Sequence, residues 1–507
     1  MNLILKPYSA VPPDAAHKST PVRFSDNPMF KRFGAPFRAE ADLRDCEVDG
    51  ELPGDLNGAF YRVGPDYQYP PRCPDNIPFD GEGHVAMFRF MRGHADFKSR
   101  YVRTQRYKAQ EAARRSLFGM YRNPYTDDPS VKGVSRGTAN THVVFHNGRL
   151  LALKEDSPPV AMDPVTLDTL DDYCDFRGKL TSRTFTAHPK FDPATGEMLA
   201  FGYEAKGEAT DDVAVYAIDR RGRVTWEAWI KVPYVGMLHD FAVTKTHVAF
   251  LVIPMATNVE QMKLGGVHFA WDSRLPTWLG VMRRGGDGKD LRWFKGPERC
   301  ATHVMGAFSE GERVTVDVDM ALKNQFPFFP NAHGEPYDPH AAEGRVTRLT
   351  VDLARNDETY GMEVLYPVAG ILPRQDDRYH TLPYRFGFMP TMDPTRPFDE
   401  RLAQVLTQPV NCWTKFDHAT RKTSTFFAGS DSTLQECVFV PRSKDAPEGD
   451  GYLVGIANRL LDGRSDLVVV DTTRMEDGAV AAVKLPFRIG AGIHGWWVSE
   501  QQLGERS

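Results

Sequence analysis

Residues 143–154 read Val-Val-Phe-His-Asn-Gly-Arg-Leu-Leu-Ala-Leu-Lys, two β-rich runs joined by Asn147 and Gly148. Asparagine and glycine tolerate the positive φ angles of a two-residue turn, so this stretch predicts a β-hairpin. Similar turns between short β-rich runs recur at 192–196, 220–222, 310–311 and 462–463. Many hairpins at fairly even spacing predict an all-β fold, which leaves a barrel, a stack of sandwiches and a propeller as alternatives.

Two segments depart from the hairpin pattern and are predicted to cap one end of the β scaffold. The first, about 104–124, is rich in helix formers as far as Tyr121, and the second, about 259–279, resembles a long connection with some helix. The basic residues within 103–115 are most simply a solvated helix face. The Pro- and Gly-rich segment 326–339 is interpreted as a long surface loop.

The chain contains no clear linker, so we predict an extended N-terminal arm over residues 1–35 and a single catalytic domain over 36–507. A net charge of −5 gives no basic field for nucleic acid, and six scattered cysteines without a Cys-x-x-Cys pair favour reduced thiols. The N-terminal apolar stretch is too short for a signal peptide, and the longest apolar runs are strand-sized. We therefore expect a soluble cytoplasmic protein without stable membrane insertion.

Four of the fifteen histidines stand out because each lies at the end of an apolar, strand-like run. Burying an imidazole there costs desolvation free energy unless a metal or a hydrogen bond compensates it. Imidazole binds iron, zinc and copper, so the residue type alone leaves the metal open. The four are His188 in Thr-Ala-His-Pro-Lys, His239 in Met-Leu-His-Asp-Phe, His303 in Ala-Thr-His-Val-Met and His494 in Gly-Ile-His-Gly-Trp.

These four signatures, in this order, resemble those of the carotenoid cleavage oxygenase family. The segments 57–65 (Asn-Gly-Ala-Phe-Tyr-Arg-Val-Gly-Pro) and 79–83 (Phe-Asp-Gly-Glu-Gly) extend the likeness, which runs from about residue 38 onward. The resemblance implies a seven-bladed β-propeller with a helical cap, and an Fe(2+) cofactor held on the propeller axis by the four histidines.

The resemblance also implies three glutamates that orient the metal-binding histidines. Glu155 and Glu436 match two of them, but Ile371 occupies the expected place of the third. Outer carboxylates fix the tautomer and direction of a ligand histidine. This departure predicts either weaker iron binding or support from another group.

Within the family, segments 116–124, 153–158 and 439–442 resemble the branch that cleaves lignostilbenes and isoeugenol. By this likeness Phe79, Tyr121 and Lys154 hold the 4-hydroxyphenyl ring of the substrate. A lysine ammonium and a tyrosine hydroxyl would favour a phenolate, whose charge activates the conjugated alkene, and a phenylalanine would position the ring. Lys154 and Glu155 are neighbours, so a bend is needed if both serve one site.

The sequence thus predicts a non-haem Fe(II) oxygenase that cleaves the alkene of a 4-hydroxystilbene or related phenylpropanoid with O2, giving aromatic aldehydes. Tyr121 and Lys154 are the predicted catalytic residues. Cleavage of an apocarotenoid, cleavage of a propenylphenol such as isoeugenol, and a binding module with a degraded metal site are the alternatives. The expected partners are a small aromatic alkene and O2 but no nucleic acid, and the sequence is compatible with a homodimer.

Overall fold

The computed structural model describes residues 23–74, 76–171, 173–402 and 410–504. Residues 1–22 of the predicted arm lie outside the described residues. The remainder of that segment contains short 3-10 helices at Pro28–Phe30 and Arg32–Gly34. The division into an arm and one domain stays a prediction.

Antiparallel strands make up six sheets in the described ranges. One sheet joins the two ends of the chain, in the spatial order β1 (Ala41–Leu43), β5 (His94–Tyr101), β4 (Glu82–Met91), β3 (Gly58–Asp66) and β32 (His494–Ser499). A second sheet also mixes both ends, in the order β2 (Val48–Gly50), β31 (Ala481–Lys484), β30 (Arg464–Asp471), β29 (Gly451–Arg459) and β28 (Ser432–Pro441). These pairings close the scaffold, because early strands complete the sheets formed by late strands.

Three sheets come from consecutive stretches of chain. The first contains β6 (His142–His146), β7 (Arg149–Leu153), β8 (Val160–Met162) and β9 (Thr169–Asp171). The second contains β10 (Lys190–Phe191), β11 (Met198–Tyr203), β12 (Asp212–Ile218) and β13 (Val224–Lys231). The third contains β14 (Gly236–Met237), β15 (Phe241–Val243), β16 (His247–Thr257), β17 (Phe269–Trp271), β18 (Trp278–Arg283) and β19 (Arg292–Lys295).

The remaining sheet has eight strands and consists of two consecutive meanders. They are β20 (Cys300–Glu310), β21 (Arg313–Ala321), β22 (Arg345–Asp352) and β23 (Gly361–Gly370), then β24 (Arg374–Gln375), β25 (Phe386–Met392), β26 (Cys412–Asp417) and β27 (Lys422–Phe427). Only two residue pairs link β23 to β25. Counted as two blades, this sheet brings the number of blades to seven.

Neighbouring blades contact each other through their inner strands. Contacts run from β28 to β32, from β32 to β6, from β15 to β20, from β20 to β24 and from β24 back to β28. The predicted hairpin at residues 143–154 joins β6 to β7, with Asn147 at φ 51° and Gly148 at φ 73°. Both residues adopt the left-handed conformation that a two-residue hairpin turn needs.

Helices are few and short. The α-helices are α1 (Gln105–Ala113), α2 (Val259–Lys263) and α3 (Glu500–Gly504). Further 3-10 helices span Pro78–Asp80, Pro124–Thr126, Pro129–Val131, Asp377–Tyr379, Glu400–Leu402 and Met475–Asp477. The helix in the first predicted cap segment is therefore shorter than its composition suggests, and it ends where Arg114 takes a φ of 52°.

Two sequence interpretations need correction. Arg106 does not lie on a solvated helix face: it is buried and forms ion pairs with Asp80 and Glu82. The segment 326–339 is not entirely a surface loop, because Phe329 is buried and Phe328 packs against the core beside it. Periodicity missed both because a nine-residue helix and a short aromatic run carry too little pattern to define an inward face.

No helix in the described ranges combines the length and the apolar character that a membrane crossing requires.

Candidate metal centre

The four predicted histidines meet at the centre of the molecule. His188 and His239 each lie two residues before an inner strand, β10 and β15 respectively, while His303 lies within β20 and His494 opens β32. His303 sits at a bulge, where the register between β20 and β21 shifts. One nitrogen from each ring lies within 4.8 Å of the others. The fold therefore brings together imidazoles from four blades.

Their Nε2 atoms converge. The Nε2 atom of His239 lies 3.2 Å from Nε2 of His188 and 3.2 Å from Nε2 of His303. The Nε2 atom of His494 is buried and has no hydrogen-bond partner among the described residues. Buried polar atoms are normally paired, so an orphaned nitrogen in a cluster of imidazoles fits a bound metal ion. The four histidines are therefore the candidate metal-binding site.

Two carboxylates hydrogen-bond to Nδ1 atoms of histidines in this cluster, and they are the two glutamates that the family resemblance implied. The Nδ1 atom of His239 hydrogen-bonds to Glu155, and that of His494 donates to Oε1 of Glu436 at 2.9 Å. A proton held on Nδ1 leaves the Nε2 lone pair free for a metal. Burial alone would raise the pKa of Glu155, but the charge and hydrogen bond of His239 lower it to about 2. Glu155 is therefore ionised and accepts a hydrogen bond from the imidazole N–H.

Asp319 supplies the third carboxylate. Its Oδ2 atom lies 3.4 Å from Nδ1 of His303, and its Oδ1 atom accepts the backbone N–H of the same histidine at 2.7 Å. Ile371 instead donates its backbone N–H to Pro390 on a neighbouring strand. Support for His303 has thus moved to the adjacent strand β21. Sequence reasoning missed Asp319 because only the register of β20 and β21 brings it to that ring.

A fifth histidine, His142, was also missed. Its ring centroid lies 5.1 Å from that of His494 and 5.8 Å from that of His188. The Nδ1 atom donates to the carbonyl of Ala187 at 2.9 Å, and Nε2 faces the carbonyl of Gly495 at 3.4 Å. These carbonyls flank the two neighbouring histidines in the chain. His142 therefore joins the segments that carry His188 and His494.

A single aspartate links the other ligand segments. Asp240 follows His239, forms an ion pair with Lys190 at 2.7 Å, and accepts the N–H of Val304 at 2.8 Å. Lys190 is close in sequence to His188, and Val304 follows His303. One buried carboxylate therefore holds three of the four segments in register.

The environment of His188 and His494 favours neutral imidazoles. Burial lowers the pKa of His188 and His494 well below the usual value, and nearby positive charges act in the same direction. Neutral imidazole is the form that binds a metal.

A small cavity adjoins three of the histidines, His188, His303 and His494. Its volume is about 30 Å³, and Arg374 and Trp496 also line it. A space of this size holds one or two water molecules. The cavity therefore has room for a small molecule, such as water or a diatomic gas, beside the histidine rings.

The three predicted substrate residues lie together. The ammonium of Lys154 lies 4.8 Å from the ring centroid of Tyr121 and donates to the carbonyl of Phe79 at 3.2 Å. Strand β7 ends at Leu153, and the chain turns at Glu155. The predicted bend is therefore present, and it allows Lys154 to face the aromatic residues while Glu155 faces His239.

Cap residues fix the aromatic partners. Arg106 on α1 forms hydrogen bonds to Asp80, the neighbour of Phe79, including one to its carbonyl at 2.7 Å. The ring of Phe79 makes an edge contact with Phe328 at 4.9 Å. Aromatic contacts of this geometry are favourable. The first cap segment and the segment containing Phe328 therefore both contribute to one wall.

Comparisons with known proteins agree with this architecture. The family model described as retinal pigment epithelial membrane protein matches residues 34–499. Lignostilbene-α,β-dioxygenase isozyme III of Sphingomonas paucimobilis is 45% identical, over 92% of this chain and 96% of that protein. Isoeugenol monooxygenase of Pseudomonas putida is 43% identical over 92% and 96% of the two chains. The crystal structure of Pseudomonas brassicacearum lignostilbene dioxygenase superposes with a TM-score of 0.92 at 41% identity, covering 94% of this chain and all (100%) of that one.

The fold and the histidine cluster are those of a β-propeller oxygenase with a candidate metal centre. The chain belongs to the carotenoid oxygenase family, the family of the retinal pigment epithelial membrane protein. The propeller predicted from the resemblance is confirmed.

Replacing Glu436 by glutamine should weaken metal binding about 10- to 100-fold, because a neutral amide accepts the imidazole hydrogen bond more weakly than a carboxylate does. Competition with a chelator measures this affinity. Glu448→Gln is the matched control, since the Glu448 carboxylate accepts backbone N–H groups of Arg385 and Phe386 and no histidine. Equal metal affinity in both variants would contradict a supporting role for Glu436.

Proposed function

We propose that this protein is an Fe(II) oxygenase that cleaves the alkene of a 4-hydroxystilbene or a related phenylpropanoid, converting one alkene and one O2 into two carbonyl products. The observation that carries the proposal is the position of Lys154. Its ammonium lies over the ring of Tyr121, and the next residue, Glu155, hydrogen-bonds to His239. The Lys154 ammonium, which suits a phenol oxygen, is thus adjacent in sequence to Glu155, the carboxylate that orients His239.

His188, His239, His303 and His494 would hold the iron, with Glu155, Glu436 and Asp319 fixing their orientation. Four neutral imidazoles would leave the charge of a bound Fe(II) uncompensated. Bound iron would supply the activation of dioxygen. The cavity beside three of these histidines supports access by a small molecule.

Lys154 and Tyr121 would bind the substrate's 4-hydroxyl group and favour its ionised form. An ordinary phenol ionises near pH ~10, so it needs such help at neutral pH. Burial lowers the pKa of Lys154, although Asp156 and Glu155 oppose this shift. A phenolate would add a negative charge beside this buried ammonium and would be stabilised by it. The electron-rich phenolate would then push charge into the conjugated double bond.

Phe79 and its aromatic neighbours would position the ring. The edge contact between Phe79 and Phe328 forms an apolar wall, and the Tyr121 ring packs 5.8 Å from that of Phe329. Such walls exclude water and orient a planar substrate. A propenylphenol shares the 4-hydroxyphenyl group, so isoeugenol-type compounds belong to the same substrate class.

We place this activity in the cytoplasm, as a soluble enzyme whose partners are the aromatic alkene and O2. The six cysteines are free, as suits a reducing compartment.

Lys154→Met should lower kcat/KM for a 4-hydroxystilbene about 100-fold or more, because the charge that stabilises the phenolate is lost. Bound iron should remain near the wild-type level, as measured by metal analysis. Lys415→Met is the matched control: Lys415 is a half-buried lysine, 4.2 Å from the Phe386 ring centroid and bonded to the Gly449 carbonyl at 3.1 Å. Loss of iron in Lys154→Met would show that Lys154 supports the metal instead.

A substrate whose 4-hydroxyl group is replaced by methoxy should not be cleaved, because an ether oxygen has no proton to lose. Oxygen uptake and chromatography of the aldehydes measure the reaction. Equal turnover of the ether and the phenol would refute activation through the phenolate.

The proposal as a whole is tested by an aerobic assay of iron-loaded protein against resveratrol, a lignostilbene, isoeugenol, 4-vinylguaiacol and an apocarotenal. We expect aldehyde products from the phenols and none from the polyene. Cleavage of the apocarotenal alone would overturn the substrate class while leaving the metal centre intact.

A further inference from the structure

A buried polar network connects the cap to the metal centre. Arg122, in the first cap segment, donates from Nη1 to the hydroxyl of Tyr203 at 2.5 Å. That hydroxyl donates to Oε2 of Glu155 at 2.7 Å, and the other oxygen of Glu155 holds His239. Arg122 also lies 3.6 Å from Glu155 directly. A single guanidinium therefore reaches the metal-binding histidine through one hydroxyl and one carboxylate.

The other side of Arg122 is held just as firmly. Its Nη2 atom forms an ion pair with Glu204, which also accepts a hydrogen bond from Nε2 of His268 at 3.0 Å. The Nδ1 atom of His268 reaches back to the carbonyl of Arg122 at 3.0 Å. Because Arg122 belongs to the first cap segment and His268 to the second, this arrangement links the two cap segments.

All members of the network are buried. The side chains of Arg122, Glu155 and Glu204 are 4%, 5% and 3% exposed, and Tyr203 and His268 are each 2% exposed. A buried guanidinium is costly unless its partners are well placed. Charges from His268 and Arg122 lower the pKa of Glu204 to about 2 although burial alone would raise it, so the arginine keeps an ionised partner.

The backbone is strained at the same place. Arg122 has a φ of 52° and Glu204 has a φ of 50°, both in the left-handed region that non-glycine residues rarely adopt. Such conformations persist only where the surroundings enforce them, and they concentrate at functional sites. Two residues that form an ion pair with each other share this strain.

The network also runs beside the substrate residues. Tyr121 precedes Arg122, and Lys154 precedes Glu155. Lys154 and Tyr121 contact each other through the ammonium and the ring. Arg122 and Glu155 contact each other through the guanidinium and the carboxylate. Two parallel contacts, one for the substrate and one for the metal, therefore join the cap segment to the turn after β7.

We propose that Arg122, held by Glu204 and His268, is a positioning residue that keeps Glu155 on His239 and so links the cap to the geometry of the metal centre. Without the guanidinium, Glu155 and Glu204 are two buried carboxylates without their shared cation, and Tyr203 loses the donor that directs its hydroxyl. Glu155 then leaves the position from which it orients the imidazole. The proposal needs only a metal on the four histidines; the identity of the organic substrate under the proposed function does not enter it.

The test compares iron release from the full-length Fe(II) protein to a coloured chelator, together with the electron paramagnetic resonance spectrum of its nitric oxide complex. Arg122→Met should release iron about 10- to 100-fold faster than wild type, because outer partners of metal ligands contribute that much affinity. Its nitric oxide spectrum should change shape. Arg122→Lys, which keeps the charge, should recover part of both properties.

Tyr203→Phe keeps the proposal testable if Arg122→Met does not fold, since it removes only the bridging hydroxyl. It should release iron faster than wild type and alter the spectrum in the same direction as Arg122→Met. The matched control is Arg136→Met. Arg136 follows the first cap segment and bonds to it through the carbonyl of Met120 at 2.8 Å; it also pairs with Asp127 at 2.8 Å but forms no hydrogen bond or ion pair with Tyr203 or Glu155 in the described part of the chain.

Wild-type iron release and spectrum in both Arg122→Met and Tyr203→Phe would overturn the proposal. Equal changes in Arg136→Met would also overturn it, because they would reduce Arg122 to a general stabiliser of the cap. Both readouts are obtained without an alkene, so they are independent of the substrate assays. Failure of every stilbene assay would reject the proposed function and leave this inference standing.

Discussion

Hydrogen bonds between imidazole Nδ1 atoms and buried carboxylates are the interactions on which this structure depends. A metal-binding histidine must present a lone pair on Nε2, and it does so reliably only when another group holds the proton on Nδ1. Glu155, Glu436 and Asp319 fulfil this role for His239, His494 and His303. Each carboxylate is itself buried and must be compensated. The centre therefore extends well beyond the four rings.

The propeller and its cap contribute different parts of the site. Inner strands of separate blades supply the histidines near their starts, so a rigid ring of sheets sets the distances within the cluster. Cap residues supply the partners of the proposed phenol site, through Tyr121 and the Arg106 anchor beside Phe79. The two parts meet at the turn where Lys154 faces the cap and Glu155 faces the metal centre. The bend between Lys154 and Glu155 thus places the proposed phenol-binding group next to the carboxylate that supports the metal centre.

Much of the fold and the site was predictable from local chemistry. Asn147 and Gly148 predicted their hairpin because positive φ angles are a property of those residue types. The four histidines were recognisable because imidazoles at the ends of apolar strands require compensation. His142 and Asp319 were not recognisable, because their importance comes from strand register and from blades that are distant in sequence. The prediction for Arg106 was wrong because the sequence of a basic helix does not reveal that Asp80 and Glu82 lie against its buried side.

The sequence by itself determined the strand pattern and a set of residues able to bind a metal. Those features follow from backbone preferences and side-chain chemistry, which act over a few residues. Only the tertiary structure decided that Asp319 supports His303 where Ile371 offers no carboxylate, and that Phe328 packs against Phe79. It also decided that Arg122 connects to Glu155 through the hydroxyl of Tyr203. These contacts join segments far apart in the chain, and their geometry exists only once the blades close into a ring.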